Sequence, residues 1–165
     1  MLKTISILVD NEAGVLARVT NLFSRRGYNI DSLAVGTPDV PDRSRITVIV
    51  DCDSRILDQI IHQVGKLVCV HKVEVLDDRK KVSRELVLIK VRASKETLPD
   101  IRNIVEIFRG KIVDVSPENV VIELTGSQSK IDAICDMLAQ FEIIELARTG
   151  TLAMSRGPVP VKEME

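Results

Sequence analysis

Residues 10–30 read DNEAGVLARVTNLFSRRGYNI, and this stretch contains the change from strand to helix on which the fold depends. The run before it, KTISILV, alternates apolar and polar residues and predicts a strand. A polar turn then ends in Gly14, and the apolar residues that follow lie on one helical stripe, which predicts a helix that Gly27 terminates. The stripe consists of Val15, Leu16, Val19, Leu22 and Phe23.

The order of elements that begins here occurs twice along the chain. Residues 1–77 are predicted to form a strand, a helix, two strands, a helix and a strand, and residues 85–150 repeat that order. Residues 78–84 are charged and predict a linker, and residues 151–165 predict a tail that is flexible or ordered only against a partner. A βαββαβ order gives an antiparallel sheet with both helices on one face. The sequence therefore predicts an α+β fold with two ferredoxin-like βαββαβ units.

Several of the predicted strands are apolar on both faces, as in ITVIV, LVLI and VVIEL. The helices of such a unit cover one face of its sheet, and the other face then needs a second sheet, the sister unit or a second chain. We therefore expect at least a homodimer.

The composition argues against several classes of function. The 23 basic and 24 acidic residues nearly balance, and aromatic residues make up 2% with no tryptophan, which argues against a nucleic-acid partner. No run approaches the roughly 18 apolar residues of a membrane helix, and the first residues lack the pattern of a signal peptide. The three cysteines show neither CxxC spacing nor a disulfide pattern. We therefore expect reduced thiols in a cytoplasmic protein that does not bind membranes.

The turn before the first helix is a candidate anion site. A helix N-terminus leaves about four N–H groups without partners and carries about half a positive charge, which favours a carboxylate. Gly14 removes the side chain that would block close approach, and Asn11 can either cap the helix or bind a ligand. A plain capped turn also explains these residues, since such turns are common.

The second unit and the end of the first helix bear on the same question. The corresponding turn of the second unit, VRASKETLPDI, contains no glycine, which favours one ligand site per chain, in the first unit. The segment GYNI begins the second predicted strand, residues 28–35. Asn29 either satisfies a turn there or, if this strand lies at a dimer edge, faces the partner's glycine turn together with Ile30. In the second case a ligand would bind between two chains.

The sequence contains no recognisable catalytic or metal-binding pattern. His62 and His71 occur in neither a triad nor a metal-ligand spacing, and we expect both to be structural. The aspartates within residues 51–58 are typical of helix caps and a solvated face. Arg25 and Arg26 end a helix, where positive charge is favourable.

The run NEAGVLARVTNLFSRRGYNIDSL, followed by SRITVIV, resembles the small regulatory subunit of acetolactate synthase, also called acetohydroxyacid synthase. The first unit is similar to the ACT domain of that family, a βαββαβ module that senses amino acids. ACT domains in general share only the glycine turn, whereas LFSRRGYNIDSL is typical of this subunit in particular. The resemblance extends over the whole chain.

The resemblance implies a subunit without catalytic activity of its own. It would bind and activate the large catalytic subunit and confer feedback inhibition by valine in branched-chain amino-acid biosynthesis. Thiamine diphosphate, magnesium and FAD would belong to that partner, and no cofactor is expected in this chain. The implied valine site takes residues from both chains of a dimer. They are Asn11, Gly14, Val15 and Leu16 of one chain, and Asn29 and Ile30 of the other.

An ACT-domain regulator of a different amino-acid enzyme is the alternative that stays open, because it would share the glycine turn. A nucleic-acid module of the same topology is excluded, because the strands ISILV and TVIVD carry no aromatic residue on which a base could stack. A small ferredoxin-like hydrolase would need a catalytic constellation, which the sequence does not contain.

Overall fold

The structure, a computed structural model, describes residues 1–157, and within these it contains nine strands and four α-helices. The first six elements are β1 (Leu2–Asp10), α1 (Val15–Arg25), β2 (Ser32–Gly36), β3 (Arg43–Asp51), α2 (Ser54–Val64) and β4 (Val70–Leu76). The others are β5 (Lys81–Arg92), α3 (Leu98–Ile107), β6 (Lys111–Val115), β7 (Asn119–Gly126), α4 (Gln128–Leu138), β8 (Ile143–Arg148) and β9 (Leu152–Ser155).

The chain divides into two compact units. One consists of Met1–Val82 together with the segment that begins at Thr151, and the other is Ser83–Gly150. The predicted linker, residues 78–84, contains a turn closed by the bond from the Lys80 amide to the Asp77 carbonyl, and β5 already begins at Lys81.

The first unit is a four-stranded antiparallel sheet in the order β2-β3-β1-β4, with its core between one face and the two helices. Alternate residues of β1 and β3 point into this core, as their period of two requires. Helix α1 contributes Val15, Val19 and Phe23, and α2 contributes Leu57, Ile60 and Val64. Gly27 adopts a left-handed φ of 68° just beyond α1, as expected of a glycine that terminates a helix.

The second unit repeats this plan. Its sheet has the order β6-β7-β5-β8, and α3 and α4 bury their apolar residues with alternate residues of β5 and β7. The predicted α+β fold of two βαββαβ units is therefore confirmed.

The second strand is shorter than the sequence predicts. Residues 28–35 were expected to be extended, but β2 begins only at Ser32. The Tyr28 amide bonds back to the Phe23 carbonyl and closes the end of α1, so Tyr28 belongs to the turn. Asn29 and Ile30 therefore precede β2, and only the Asp31 amide, bonded to the Ile49 carbonyl, leads into the ladder with β3.

Residues 151–157 do not form the flexible tail that the composition predicts. Leu152–Ser155 form β9, which contacts β1 and β4 on the face of the first sheet that the helices leave open. Arg45 Nη2 donates to the Ala153 carbonyl at 3.1 Å, and the Thr151 amide donates to Ser32 Oγ at 2.8 Å. The chain itself therefore supplies cover for this face. The face of the first sheet to which ITVIV contributes is thus covered within the chain, and the homodimer stays a prediction. Residues 158–165 lie outside the described part.

Between Met1 and Gly157, no helix is both long and apolar enough to cross a membrane. The three cysteines are free thiols.

Candidate functional site

The turn between β1 and α1 is built around Gly14, the residue that precedes the helix. Gly14 has a φ of 85°, a left-handed conformation that side chains other than Asn and Asp rarely adopt. A Cβ placed on Gly14 would meet no atom within 4 Å. Space is therefore open above this residue, and any side chain there would project into it.

The N-terminus of α1 is not capped by any side chain. The Val15 amide makes a long bond of 3.3 Å to the Glu12 carbonyl, whereas the amides of Leu16 and Ala17 have no acceptor within residues 1–157. These N–H groups lie at the positive end of the helix. The site can therefore accept an anion without first breaking a strong internal hydrogen bond.

Asn11 does not cap the helix, because its side-chain oxygen is engaged elsewhere. Ser44 Oγ donates to Asn11 Oδ1 at 2.9 Å, and the main-chain N–H of Asn11 donates to the Asp42 carbonyl at 3.0 Å. Asp42 itself has a left-handed φ of 57°. These contacts fix the orientation of the Asn11 carboxamide, and its Nδ2 has no acceptor in the described part of the chain. A ligand could therefore use that nitrogen as a donor.

A partly buried cluster of polar side chains lies directly before this turn. Arg43 Nη1 donates to Asp10 Oδ1 at 2.9 Å, and His71 Nε2 lies 2.6 Å from the same oxygen. Since these residues belong to β1, β3 and β4, the cluster joins three strands at the point where the turn begins. His71 thus contacts Asp10, and its structural role stays a prediction.

The equivalent turn of the second unit is closed by its own side chains. Ser94 Oγ accepts from the amides of Glu96 and Thr97 at 3.2 and 3.3 Å, and Thr97 Oγ1 accepts from the Ser94 amide at 2.9 Å. Ser94 Oγ also donates to Glu96 Oε2, and this hydrogen bond lowers the pKa of the Glu96 carboxyl. These side chains close the turn itself. At the second position of the helix, where α1 has the free amide of Leu16, α3 has Pro99, which carries no N–H group.

Asn29 and Ile30 lie just before β2, which is an edge strand of the first sheet. Asn29 Nδ2 donates to Asp31 Oδ1 at 3.0 Å, which leaves Asn29 Oδ1 as an acceptor. Ile30 is partly buried against the core, and Leu16 is 40% exposed. Val15 is a core residue, so only its main chain is available to a ligand.

Two of the residues that fix the site are missed by sequence reasoning, namely Ser44 and Asp31. Ser44 reaches Asn11 because β1 and β3 pair in a register that places Ser44 opposite Val9. Helix α1, β2 and the loop after β2 separate the two residues in sequence, and periodicity does not reveal the register. Asp31 follows Asn29 by two residues, a spacing at which side chains bond locally, so this contact could have been inferred.

No constellation for catalysis or metal binding accompanies the turn. Within residues 1–157, no group of three or more His, Cys, Asp or Glu side chains is placed to hold a metal ion. Burial raises the pKa of the Cys52 and Cys135 thiols, which makes them poorer nucleophiles at neutral pH. Asp53 caps α2 by accepting from the Ile56 amide at 2.8 Å, as the sequence predicts for this group of aspartates.

Both units match family profiles. Residues 5–72 match the family described as the AHAS small subunit-like ACT domain, and residues 84–157 match the family described as the small subunit of acetolactate synthase.

Individual relatives cover nearly the whole chain. The acetolactate synthase small subunit of Mycobacterium bovis is 46% identical over 155 residues, which are 94% of this chain and 92% of the relative. A probable acetolactate synthase small subunit of Archaeoglobus fulgidus is 47% identical over 157 residues, 95% of this chain and 98% of the relative. The crystal structure of the acetolactate synthase small subunit from Thermotoga maritima matches with a TM-score of 0.90 and 45% identity, covering 96% of this chain and 99% of that one. The chain therefore belongs to the family of acetolactate synthase small subunits, and its first unit is an ACT domain.

Proposed function

We propose that this chain is a regulatory subunit that binds and activates the large catalytic subunit of acetolactate synthase and makes it sensitive to valine. The catalytic partner carries the thiamine diphosphate, magnesium and FAD of the reaction, and this chain carries none. L-valine binds between the ACT domains of two copies of the chain. Family membership supports the partner, and the open N-terminus of α1 supports the ligand class.

The observation that carries the ligand class is the difference between the two βα turns. Helix α1 has free amides at Leu16 and Ala17, just after Gly14. Helix α3 has Pro99, without an N–H group, at the position of Leu16, and Ser94 bonds the amides of the turn before it. The α-carboxylate of an amino acid fits the first arrangement, because main-chain N–H groups and the helix dipole both favour an anion there. One effector per chain, in the first unit, follows from this difference.

The rest of the effector is recognised across the dimer. The α-ammonium group is held by Asn29 Oδ1 of the second copy, the oxygen that the bond from Asn29 Nδ2 to Asp31 leaves available. The isopropyl group packs on the exposed Leu16 of one chain and on Ile30 of the other. A methylene in such a pocket is worth about 1–3 kcal/mol, so leucine and isoleucine are weaker effectors rather than excluded ones.

The dimer contact uses the edge of the first sheet. Within residues 1–157, β2 pairs with β3 on one side only, so its other side can add a strand of a second copy. Asn29 and Ile30 lie immediately before this edge, and they are brought to the partner's turn when two copies join there. Because the effector contacts both chains, its binding is coupled to the arrangement of the dimer, and inhibition requires that valine bind the inhibited state more tightly than the active one.

The test is isothermal titration of the purified chain with L-valine, with D-valine and L-phenylalanine as controls, followed by Gly14→Asp. Aspartate tolerates the left-handed backbone better than most residues, so the fold is retained, but its carboxylate enters the open space and repels the carboxylate of the ligand. We expect at least about tenfold weaker L-valine binding, which corresponds to about 1.4 kcal/mol. Gly157→Asp is the matched control, because Gly157 has a left-handed φ of 94° and also faces open space.

Equal binding by the wild type and Gly14→Asp would overturn the proposed site. Binding of phenylalanine in preference to valine would favour an ACT-domain regulator of another amino-acid enzyme. Activation and valine sensitivity are tested by reconstitution with the large subunit. The chain must raise the rate of acetolactate synthesis, and added L-valine must lower that rate.

A further inference from the structure

A groove between α1 and α2 of the first unit carries three arginines that the proposed valine site does not use. It encloses about 630 Å³ and is lined by Arg18, Arg25 and Arg26, with the partly buried Leu22 and Leu67 among its other lining residues. All three arginines are exposed. The groove is therefore a cationic surface with an apolar component.

The three guanidinium groups have no acidic partner within residues 1–157. The helices of the second unit differ in this respect. Arg102 of α3 lies 3.7 Å from Glu106, and Arg148 donates to Asp132 of α4 at 2.9 Å. Among residues 1–157, no acidic side chain therefore neutralises the positive charge of the groove.

The helix dipole explains only part of this charge. Arg25 lies in the last turn of α1 and Arg26 caps it, where positive charge is favourable. Arg18 is the fourth residue of α1, close to the positive end of the helix, where a cation is unfavourable. The dipole of α1 therefore does not explain the position of Arg18 on this groove.

The extent of the cluster indicates the kind of anion. Arg18 and Arg25 are seven residues apart on one helix, which corresponds to roughly 10 Å along its axis. A single carboxylate or phosphate cannot contact both ends of such a row, whereas three or four residues of an extended chain can. Arginine is enriched at protein interfaces, where its planar group binds carboxylates in pairs, and the leucines offer contact to an apolar residue between the acids.

We propose that this groove is the docking surface for an acidic segment of the catalytic large subunit. The inference rests on the proposed function and adds to it the surface that binds the partner. The ACT domain would then bind the large subunit and valine at different places. The groove lies between α1 and α2, whereas the proposed valine site lies at the turn before α1 and at the β2 edge.

The test compares Arg18→Glu with Arg55→Glu in the full chain. Arg55 lies in the first turn of α2, is exposed, has no ion pair within the described residues and does not line the groove. Both changes place an acid near a helix N-terminus, where it favours the helix, so neither should unfold the protein. Binding to the purified large subunit is measured by biolayer interferometry at low salt and over a salt series, with thermal melting as the folding control.

We expect Arg18→Glu to weaken binding at low salt by about tenfold or more and to flatten its salt dependence, because a complementary charge pair becomes a repulsive one. Arg25→Gln, which removes a charge without reversing it, should give a smaller loss, and Arg55→Glu should bind like the wild type. Equal binding by Arg18→Glu and Arg55→Glu would overturn the docking surface but not the proposed function. Failure of the wild type to bind the large subunit would overturn both.

A small-anion site is the other occupant that the test resolves. Inorganic phosphate would then bind the chain alone, and Arg18→Glu would abolish that binding. If the large subunit still binds the Arg18→Glu variant normally, the groove is not a docking surface.

Discussion

The side-chain hydroxyls of Thr4 and Ser6, both on β1, differ in their hydrogen-bond partners. Thr4 and Ser6 both lie on the face of the first sheet opposite the helices, and both are buried. Thr4 Oγ1 accepts from Lys81 Nζ at 2.6 Å, whereas Ser6 Oγ has no partner within the described residues. A buried hydroxyl without a hydrogen bond destabilises a fold, and one bonded to a charged group stabilises it.

We therefore expect Ser6→Ala to leave the free energy of unfolding unchanged or to raise it, and Thr4→Val to lower it by about 1.5–3 kcal/mol, the range for hydrogen bonds to charged groups. Urea unfolding of both variants measures this, and each serves as the control for the other. A loss for Ser6→Ala as large as that for Thr4→Val would contradict the prediction and would mean that Ser6 bonds to a water molecule.

At the scale of residues, the sequence indicates the candidate turn but not its surroundings. Gly14 can be singled out because it stands between a strand and an amphipathic helix, where its lack of a side chain matters. The contact between Ser44 and Asn11 depends on the register of β1 with β3, and the cluster around Asp10 joins three strands. Neither follows from local periodicity.

At the scale of elements, β9 has the largest consequence. It covers the second face of the first sheet and gives Arg45 an acceptor in the Ala153 carbonyl. Burial lowers the pKa of Arg45, since its charge is partly removed from water, so this acceptor stabilises a group that is costly to bury. Four residues of strand, in the segment that begins at Thr151, thus complete a unit whose first segment ends at Val82.

A chain that ends at Gly150 lacks β9, and we expect its first unit to be less stable by at least about 2 kcal/mol. The loss includes the two hydrogen bonds made at Thr151 and Ala153, each worth about 1 kcal/mol, together with the bonds of Arg156 to the Lys80 and Lys81 carbonyls and renewed exposure of the sheet face. The measurement is urea unfolding, with hydrogen exchange to show which strands lose protection. A chain that ends at Gly157 is the control, because it retains β9, and equal stability of the two truncated chains would contradict the role of this strand.

At the scale of the whole molecule, two units of one topology differ in what they can bind. The turn of the first unit is open at Gly14, whereas Ser94 closes the turn of the second. The groove arginines also have no acidic partner within residues 1–157, whereas Arg102 and Arg148 of the second unit are paired. A repeated fold therefore does not imply a repeated site.

Saturating L-valine should slow hydrogen exchange in the first unit only, at residues 11–17 and 29–36, because the proposed site combines these segments of two copies. Residues 93–98 of the second unit should exchange at the same rate with and without valine, since Ser94 already binds their amides. Mass spectrometry of exchanged peptides measures both. Protection of residues 93–98 by valine would contradict one site per chain.

The sequence by itself determined the repeated βαββαβ order and the place of the glycine turn. Both follow from local rules, since a period of two or of 3.6 residues and a glycine at a helix start are readable within a few residues. The tertiary structure decided what depends on contacts between distant residues, namely the start of β2 beyond Asn29 and Ile30, the return of β9 to the first sheet and the closure of the face that it covers. Strand register and the packing of a distant segment are set by the total burial and hydrogen bonding of the fold, which no local pattern contains.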